Sequence, residues 1–242
     1  MDYGYKTDTG RIREINEDRY LFVNEEDYVL LAVADGMGGH NAGDIASQLV
    51  IDEVLKYNLN QGFFENTVEN IKLCIEGVNE KVYNYSVAQP GCHGMGTTLT
   101  MAVIIKNKVF FANVGDSRGY IIGEDIEKIT TDHSYVEELL LSGKITKEEA
   151  NNHPNKNQIT RAIGTSKYVE ADIFAVDKND EDIVLLCTDG FSNMLSDNDI
   201  LQELKNKLSL QESIDKLVVK ANENGGSDNI TVLCYVEKEG VR

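Results

Sequence analysis

Apolar positions along the chain follow two different periods. Runs rich in Val, Ile, Leu, Phe and Tyr recur at 19–23, 28–34, 98–105, 108–114, 119–122, 171–176, 183–187 and 230–236, and they read as strands. The polar break at Lys106-Asn107 between two of them predicts a tight hairpin connection. Elsewhere the spacing is helical. Ala42, Ile45, Ala46, Leu49, Val50, Val54 and Leu55 recur at three and four residues, and Val68, Ile71, Ile75, Val78 and Val82 continue the pattern in a second segment. A later pair of helices is carried by Ile200, Leu201 and Leu204, then by Ile214, Leu217, Val218 and Ala221, with Ser196 as the N-cap of the first.

The resulting order is strands, two helices, strands, a mixed insert, strands, two helices and a strand. Strands and helix pairs segregate instead of alternating, which argues against a doubly wound sheet and for a β-sandwich or α+β layering. Residues 134–168 break the pattern with short polar helices, such as the capping-box stretch Thr146-Lys-Glu-Glu149. Their five Lys/Arg against four Glu give 5 − 4 = +1, and the segment reads as a surface insert or flap. At 242 residues, with no low-complexity linker and no fixed repeat, one domain spanning 1–242 is expected.

Charge narrows the partners. Lys plus Arg number 23 and Asp plus Glu 41, a net charge of −18, which phosphate backbones and anionic lipid would repel. Neither nucleic-acid nor membrane-surface binding is expected. The longest apolar run, 28–34, is far short of the roughly 20 residues of a membrane span, and the first residues lack the apolar stretch of a secretory leader. Cys74, Cys92, Cys187 and Cys234 show no CxxC spacing. Cys187 and Cys234 sit inside apolar runs and read as buried free thiols of a reducing, cytoplasmic compartment. Cys92, in a glycine-rich stretch, is a candidate for exposure.

The informative chemistry is the placement of aspartates. Asp35 ends one apolar run and precedes Gly36, Asp116 follows another, Asp189 ends a third before Gly190, and Asp228 stands just ahead of the last. An Asp-Gly pair after a strand is ordinarily a turn. Four such carboxylates gathered at one end of a core would repel one another unless bound cations offset the charge. Carboxylates, carbonyls and water suit hard ions such as Mg²⁺ or Mn²⁺, whereas His40, His93, His133 and His153 show no zinc spacing. A site of this kind suits phosphoryl or hydrolytic chemistry, and Arg13 is a candidate grip for a substrate phosphate. Of two glycine-rich stretches, 35–40 would let the backbone at Gly36 approach a metal and 91–98 would allow close packing before a strand; neither is a nucleotide P-loop.

Taken together, Asp8-Thr-Gly-Arg-Ile-Arg-Glu-Ile-Asn-Glu-Asp18, Val33-Ala-Asp-Gly-Met-Gly-Gly39, Gly94-Met-Gly-Thr-Thr98, Val114-Gly-Asp-Ser-Arg118, Asp132-His-Ser134, Ile159-Thr-Arg-Ala-Ile-Gly164, Leu186-Cys-Thr-Asp-Gly190 and Ser227-Asp-Asn-Ile-Thr231 resemble the metal-dependent type 2C (PPM) protein phosphatases in their bacterial form. The resemblance implies an α+β, four-layer αββα sandwich: two central sheets flanked by helix pairs, with a small flap subdomain at 134–168. It implies hydrolysis of protein phosphoserine and phosphothreonine by a metal-activated water. Asp35 matches a carboxylate bridging two Mn²⁺ or Mg²⁺ ions, Gly36 a carbonyl ligand, and Asp189 and Asp228 the other direct ligands. Glu17 and Asp18 match acidic positions acting mainly through metal-bound water, Asp116 with Asp189 a third metal site, and Arg13 the phosphate-binding arginine. Where relatives of eukaryotic type place a proposed general-acid His after the Asp-Gly, this chain has Met37, with His40 nearby; the proton donor is unassigned, and Cys92 and His93 match no family role. The implied partners are phosphoproteins and a cognate Ser/Thr kinase, for a monomer in the cytoplasm. A catalytically inactive regulatory module on the same fold is the alternative, and it would be expected to lack one of Asp35, Asp189, Asp228 or Arg13.

Overall fold

The computed structural model describes residues 1–38, 42–206 and 208–237. Strands β1 (Asp2–Asp8), β2 (Asp18–Asn24) and β3 (Val29–Met37) precede helices α1 (Ala42–Asn60) and α2 (Thr67–Ala88). Strands β4 (Gly96–Thr97), β5 (Leu99–Ile105), β6 (Lys108–Val114), β7 (Arg118–Ile122) and β8 (Ile126–Lys128) follow, then the short helices α3 (Tyr135–Leu141) and α4 (Lys147–Asn151). The chain continues through β9 (Asp172–Asp177), β10 (Ile183–Cys187), α5 (Asp189–Ser192), α6 (Asp197–Leu204), α7 (Leu210–Glu223) and β11 (Ile230–Val236).

The strands form two antiparallel sheets, ordered β1-β11-β10-β7-β8 and β2-β3-β5-β6-β9, with β4 added beside β3. Three apolar layers hold them. Leu30, Ala32 and Ala34 of β3 pack with Val50, Val54, Ile71 and Val78 of α1 and α2. Leu31 and Val33, on the other face of the same strand, meet Phe111, Leu186 and Leu233 between the sheets. On the far side, Val232 and Cys234 of β11 pack with Ile214, Leu217 and Val218 of α7. Helix pair, sheet, sheet and helix pair thus make the four-layer αββα sandwich that the resemblance implied.

The layering explains the unbroken apolar runs. A strand covered on one face alternates, whereas β3 as far as Ala34 and all of β11 are covered on both and have no solvent-facing positions to spend on polar residues. Each fully buried Leu or Val contributes roughly 1.5–3 kcal/mol, so these two strands anchor the fold. The hairpin at 106–107 forms with Ile105 paired to Lys108 and Lys106 at φ 51°. Ser196 caps α6 and Thr146 caps α4, each within a capping box.

Four features depart from expectation. The apolar pattern predicts no strand at β1, because DYGYKTD is a polar edge strand whose stability comes from pairing with β11, more than 200 residues away. β4 and β8 are too short to carry a period. Neither Asp-Gly pair is a turn: Asp35-Gly36 continues β3 as far as Met37, and Asp189-Gly190 opens α5. Cys92 is buried, not exposed, and packs in the helix-side core; all four thiols are free and buried.

Candidate active site

The ends of several strands meet at one edge of the sandwich. The start of β2 lies beside the end of β3, with Asp18 paired in register to Asp35. β10 ends and β11 begins at the same edge, where the Thr188 amide donates to the Thr231 carbonyl. A cleft of about 240 Å³ opens there, lined by Arg13, Glu17, Asp35, Gly36, Asp116, Asp189 and Asp228, with Asn157 and Ile159 from the 134–168 segment. Seven of the eight candidate site residues therefore line one cleft. The eighth, Asp18, is buried behind it. His40 lies outside the described residues; His93, His133 and His153 do not line the cleft.

Backbone placement is tightly determined. The Thr98 amide and the Thr97 hydroxyl both donate to the Asp35 carbonyl (2.9 and 2.8 Å), and the Asp35 amide donates to Thr98 Oγ1 at 2.9 Å. Thr98 Oγ1 in turn pairs with Ser117 Oγ at 2.8 Å. Gly36 is required by close approach, because a Cβ there would collide with the Gly43 carbonyl at the start of α1. That packing accounts for the glycine independently of any metal. Similarly, a Cβ on Gly96 would stand 2.6 Å from Thr165 Cγ2, so the second glycine-rich stretch serves the close packing expected of it.

The loop carrying Arg13 is stapled by Asn229. Its Nδ2 donates to the carbonyls of Thr9 and Ile15, each at 2.9 Å, and its Oδ1 accepts from the Glu17 amide at 2.8 Å. Arg13 is half-exposed, with Nη2 2.8 Å from Asp228 Oδ2. Thr97, Thr98, Thr188 and Asn229 were not singled out from sequence. All four lie within or beside the motif stretches already quoted, but neutral hydroxyls and amides give no charge signal, and their function depends on partners distant in the chain.

Five carboxylates share this cleft with Arg13, Asp18 lies behind them, and the electrostatics register the crowding. Burial, then the neighbouring Asp18, Asp189, Asp116 and Asp228, pushes the Asp35 carboxyl well above the usual range. Burial raises Asp18 to about 7, opposed by the hydroxyls of Thr188 and Thr231. Burial and then Asp189 raise Asp116 to about 8. Asp189 is raised by burial and Asp228, and Glu17 by burial against the pull of Arg13. Asp18 Oδ1 and Asp189 Oδ1 are buried with no hydrogen-bond partner. Buried acceptors without donors are costly, and a divalent cation is the species that satisfies carboxylate oxygens and offsets their mutual repulsion together.

The donor set therefore fits hard cations. No group of three or more His, Cys, Asp or Glu among the described residues forms a ready-made metal shell by itself. The carboxylates instead line a cleft with room for water, which suits ions that retain several water ligands.

A two-sheet sandwich with a cation-demanding carboxylate cleft and a guanidinium at its mouth defines an enzyme of phosphate-ester hydrolysis. The sequence pattern of the protein phosphatase 2C family matches residues 11–231, and the chain belongs to that family. It is 43% identical over 245 residues to the serine/threonine phosphatase stp of Listeria monocytogenes, covering 99% of this chain and 96% of that one. It is 36% identical over 242 residues to the protein phosphatase PhpP of Streptococcus pneumoniae, covering 96% of each. Among solved structures, the serine/threonine phosphatase Stp1 from Staphylococcus aureus superposes with a TM-score of 0.92 at 38% identity, covering 99% of this chain and 96% of that one. The catalytic domain of the phosphatase PstP, in complex with two manganese ions, superposes with a TM-score of 0.86 at 34% identity over 98% of each chain.

Proposed function

We infer that this chain is a metal-dependent protein serine/threonine phosphatase. The observation that carries the reading is the cleft itself, where Asp35, Asp116, Asp189 and Asp228 face Arg13. Asp35, Asp189 and Asp228, with the Gly36 carbonyl, would hold two divalent ions; Mn²⁺ is supported by the manganese-bound relative, and Mg²⁺ by the same hard-donor chemistry. Asp116 with Asp189 would hold a third, and Glu17 and the buried Asp18 would act through the ions' water ligands. Bound ions supply Lewis acidity and lower the pKa of the water that attacks phosphorus.

The chain's own residues do the rest. Arg13, held by Asp228 yet half-exposed, presents its remaining N–H groups to the phosphate oxygens and stabilises the charge that develops on them. Thr97 and Thr98 fix the Asp35 backbone, and Asn229 fixes the Arg13 loop, so both parts of the site are held by secondary contacts before substrate arrives. Asn157 and Ile159 wall the cleft on the side of the 134–168 segment. An inactive module would lack a member of the set, and Arg13, Asp35, Asp189 and Asp228 are all present in the cleft.

The substrates would be phosphoproteins made by a cognate Ser/Thr kinase. Residues 1–242 would act as one monomeric domain with the flap at 134–168, and four free thiols support a reducing, cytoplasmic setting. No helix among the described residues is long and apolar enough to cross a membrane. Phosphate release from a phosphothreonine peptide and from p-nitrophenyl phosphate tests the activity. Turnover is expected with Mn²⁺, none with EDTA, and a loss of at least a hundredfold in Asp35→Asn; equal rates in all three would remove the cleft from the reaction.

A further inference from the structure

Among the described histidines, His133 alone is buried. Its ring stays out of the cleft yet touches the backbone next to it: Nδ1 accepts the Gly115 amide at 3.1 Å, and Gly115 directly precedes Asp116. Because Nδ1 accepts, the ring proton sits on Nε2, which faces Asp172 Oδ2 at 3.3 Å. Arg161 Nη1 donates to the other oxygen of Asp172 at 2.8 Å, so its 3.3 Å approach to Nε2 sets two donors side by side on one carboxylate. Burial lowers the pKa of the ring and favours this neutral form.

The stretch from Gly115 to Ser117 is fixed at both ends. The Gly115 carbonyl accepts from the His133 amide at 2.8 Å and from Asn113 Nδ2 at 3.0 Å, and Ser117 Oγ pairs with Thr98 Oγ1 at 2.8 Å. Gly115 has φ 112°, and a Cβ there would stand 2.5 Å from Thr98 Cγ2. Asp116 lies between these fixed points with its carboxylate in the cleft. The backbone of His133 is held separately, since its carbonyl accepts the Thr160 amide at 2.8 Å. The ring can therefore be changed without releasing the segment that carries it. Partners that orient a metal ligand act on ion affinity without touching the ion. Resting on the phosphatase reading above, we propose that His133 is a positioning residue for Asp116: by accepting the Gly115 amide, its Nδ1 sets the backbone from which the Asp116 carboxylate reaches the ion it would share with Asp189.

Isothermal titration of Mn²⁺ into the full chain, into Asp116→Asn and into two His133 variants tests this without turnover. Asp116→Asn identifies the binding step that Asp116 serves. His133→Asn keeps an acceptor for the Gly115 amide, because Oδ1 takes the place of Nδ1, and gives up Asp172. His133→Gln places its amide where Nε2 was and leaves the Gly115 amide without that acceptor. His133→Gln is expected to weaken the Asp116 step by about tenfold or more and to leave the other ions bound as before. His133→Asn is expected to retain the step. Both variants lose a buried ring, so both should melt lower in EDTA; a purely structural role would lower both melts and leave the ion affinities alike. His133→Gln with wild-type affinity at that step, or His133→Asn that loses it equally, overturns the proposal, as does an Asp116→Asn that loses no ion. Heteronuclear NMR of the wild-type ring needs no His133 variant to fold. The unprotonated nitrogen in EDTA should be Nδ1, and Mg²⁺ should shift its resonance in the wild type and not in Asp116→Asn; a protonated Nδ1, or no such shift, overturns the proposal. Hydrolysis of p-nitrophenyl phosphate is scored apart. Ion binding that depends on His133 in a chain without hydrolysis would support the positioning role while refuting the phosphatase reading, and hydrolysis with ion binding indifferent to His133 would do the reverse.

Discussion

Thr98 offers a sharp test of how the fold positions the site, because one hydroxyl does two jobs there. Its Oγ1 accepts the Asp35 amide at 2.9 Å and pairs with Ser117 Oγ at 2.8 Å, and the side chain is 2% exposed. Thr98→Val keeps the shape and removes the hydroxyl, leaving both partners without it. At about 1–3 kcal/mol for each of the two buried polar groups left unsatisfied, the expected loss of stability is roughly 2–6 kcal/mol. At ~2–4 °C per kcal/mol for a chain of this size, Tm should fall by roughly 4–24 °C. Thr98→Ser is the control: it keeps the hydroxyl and gives up one buried methyl, at a cost of about 1 kcal/mol. Calorimetry in EDTA measures both variants without contribution from bound ions. Titrating Mn²⁺ into each then reads the site itself, and Thr98→Val should need about tenfold more ion for the same Tm increase, because the Asp35 amide loses its acceptor and only the carbonyl is still held. If Thr98→Val is no less stable than Thr98→Ser, or if the two respond to Mn²⁺ alike, the hydroxyl does not position Asp35.

Two further outcomes follow from the same geometry. Arg13→Ala should raise KM by roughly tenfold or more while lowering kcat less, since charge-assisted hydrogen bonds contribute about 1.5–3 kcal/mol; an unchanged KM in steady-state assays would place Arg13 outside the substrate's reach. The carboxylates Asp18, Asp35, Asp116 and Asp189 hold protons more tightly when folded than when unfolded, so the unfolded chain binds fewer protons and stability must fall as pH rises. The ion-free protein should therefore lose Tm from pH 4 upward through the raised values near 7 and 8, and saturating Mn²⁺ should flatten the profile; melts in EDTA that are level across that range would contradict this.

Much of the architecture was legible because it is written in apolar periodicity. The runs at 108–114, 183–187 and 230–236 coincide with β6, β10 and β11, since strands buried on both faces leave a continuous signal. β1 left none: its partner is at the other end of the chain, and its exposed Tyr3 and Tyr5 alternate with polar residues. At the site, charge was the readable part. Asp35, Asp116, Asp189 and Asp228 were picked out by their place at strand ends, and the fold brings them together. What the sequence concealed was their support. Asn229 reaches Thr9 and Ile15 across more than 210 residues, and Thr188 reaches Asp18 across 170, so their roles exist only once the sheets have stacked. The short helix α5 was concealed as well, because a single turn has no period to detect.

The central claim is that the aspartates of this cleft exist to hold divalent ions. Mn²⁺ binding measured by isothermal titration on the wild-type chain and on Asp35→Asn, with circular dichroism confirming that both fold, tests it directly. At least two ions should bind per chain, and Asp35→Asn should weaken the binding of each, because the Asp35 carboxylate interacts with Asp18, Asp189, Asp116 and Asp228 alike. Wild-type protein that takes up no Mn²⁺, or a folded Asp35→Asn that binds as many ions with equal affinity, would contradict the account.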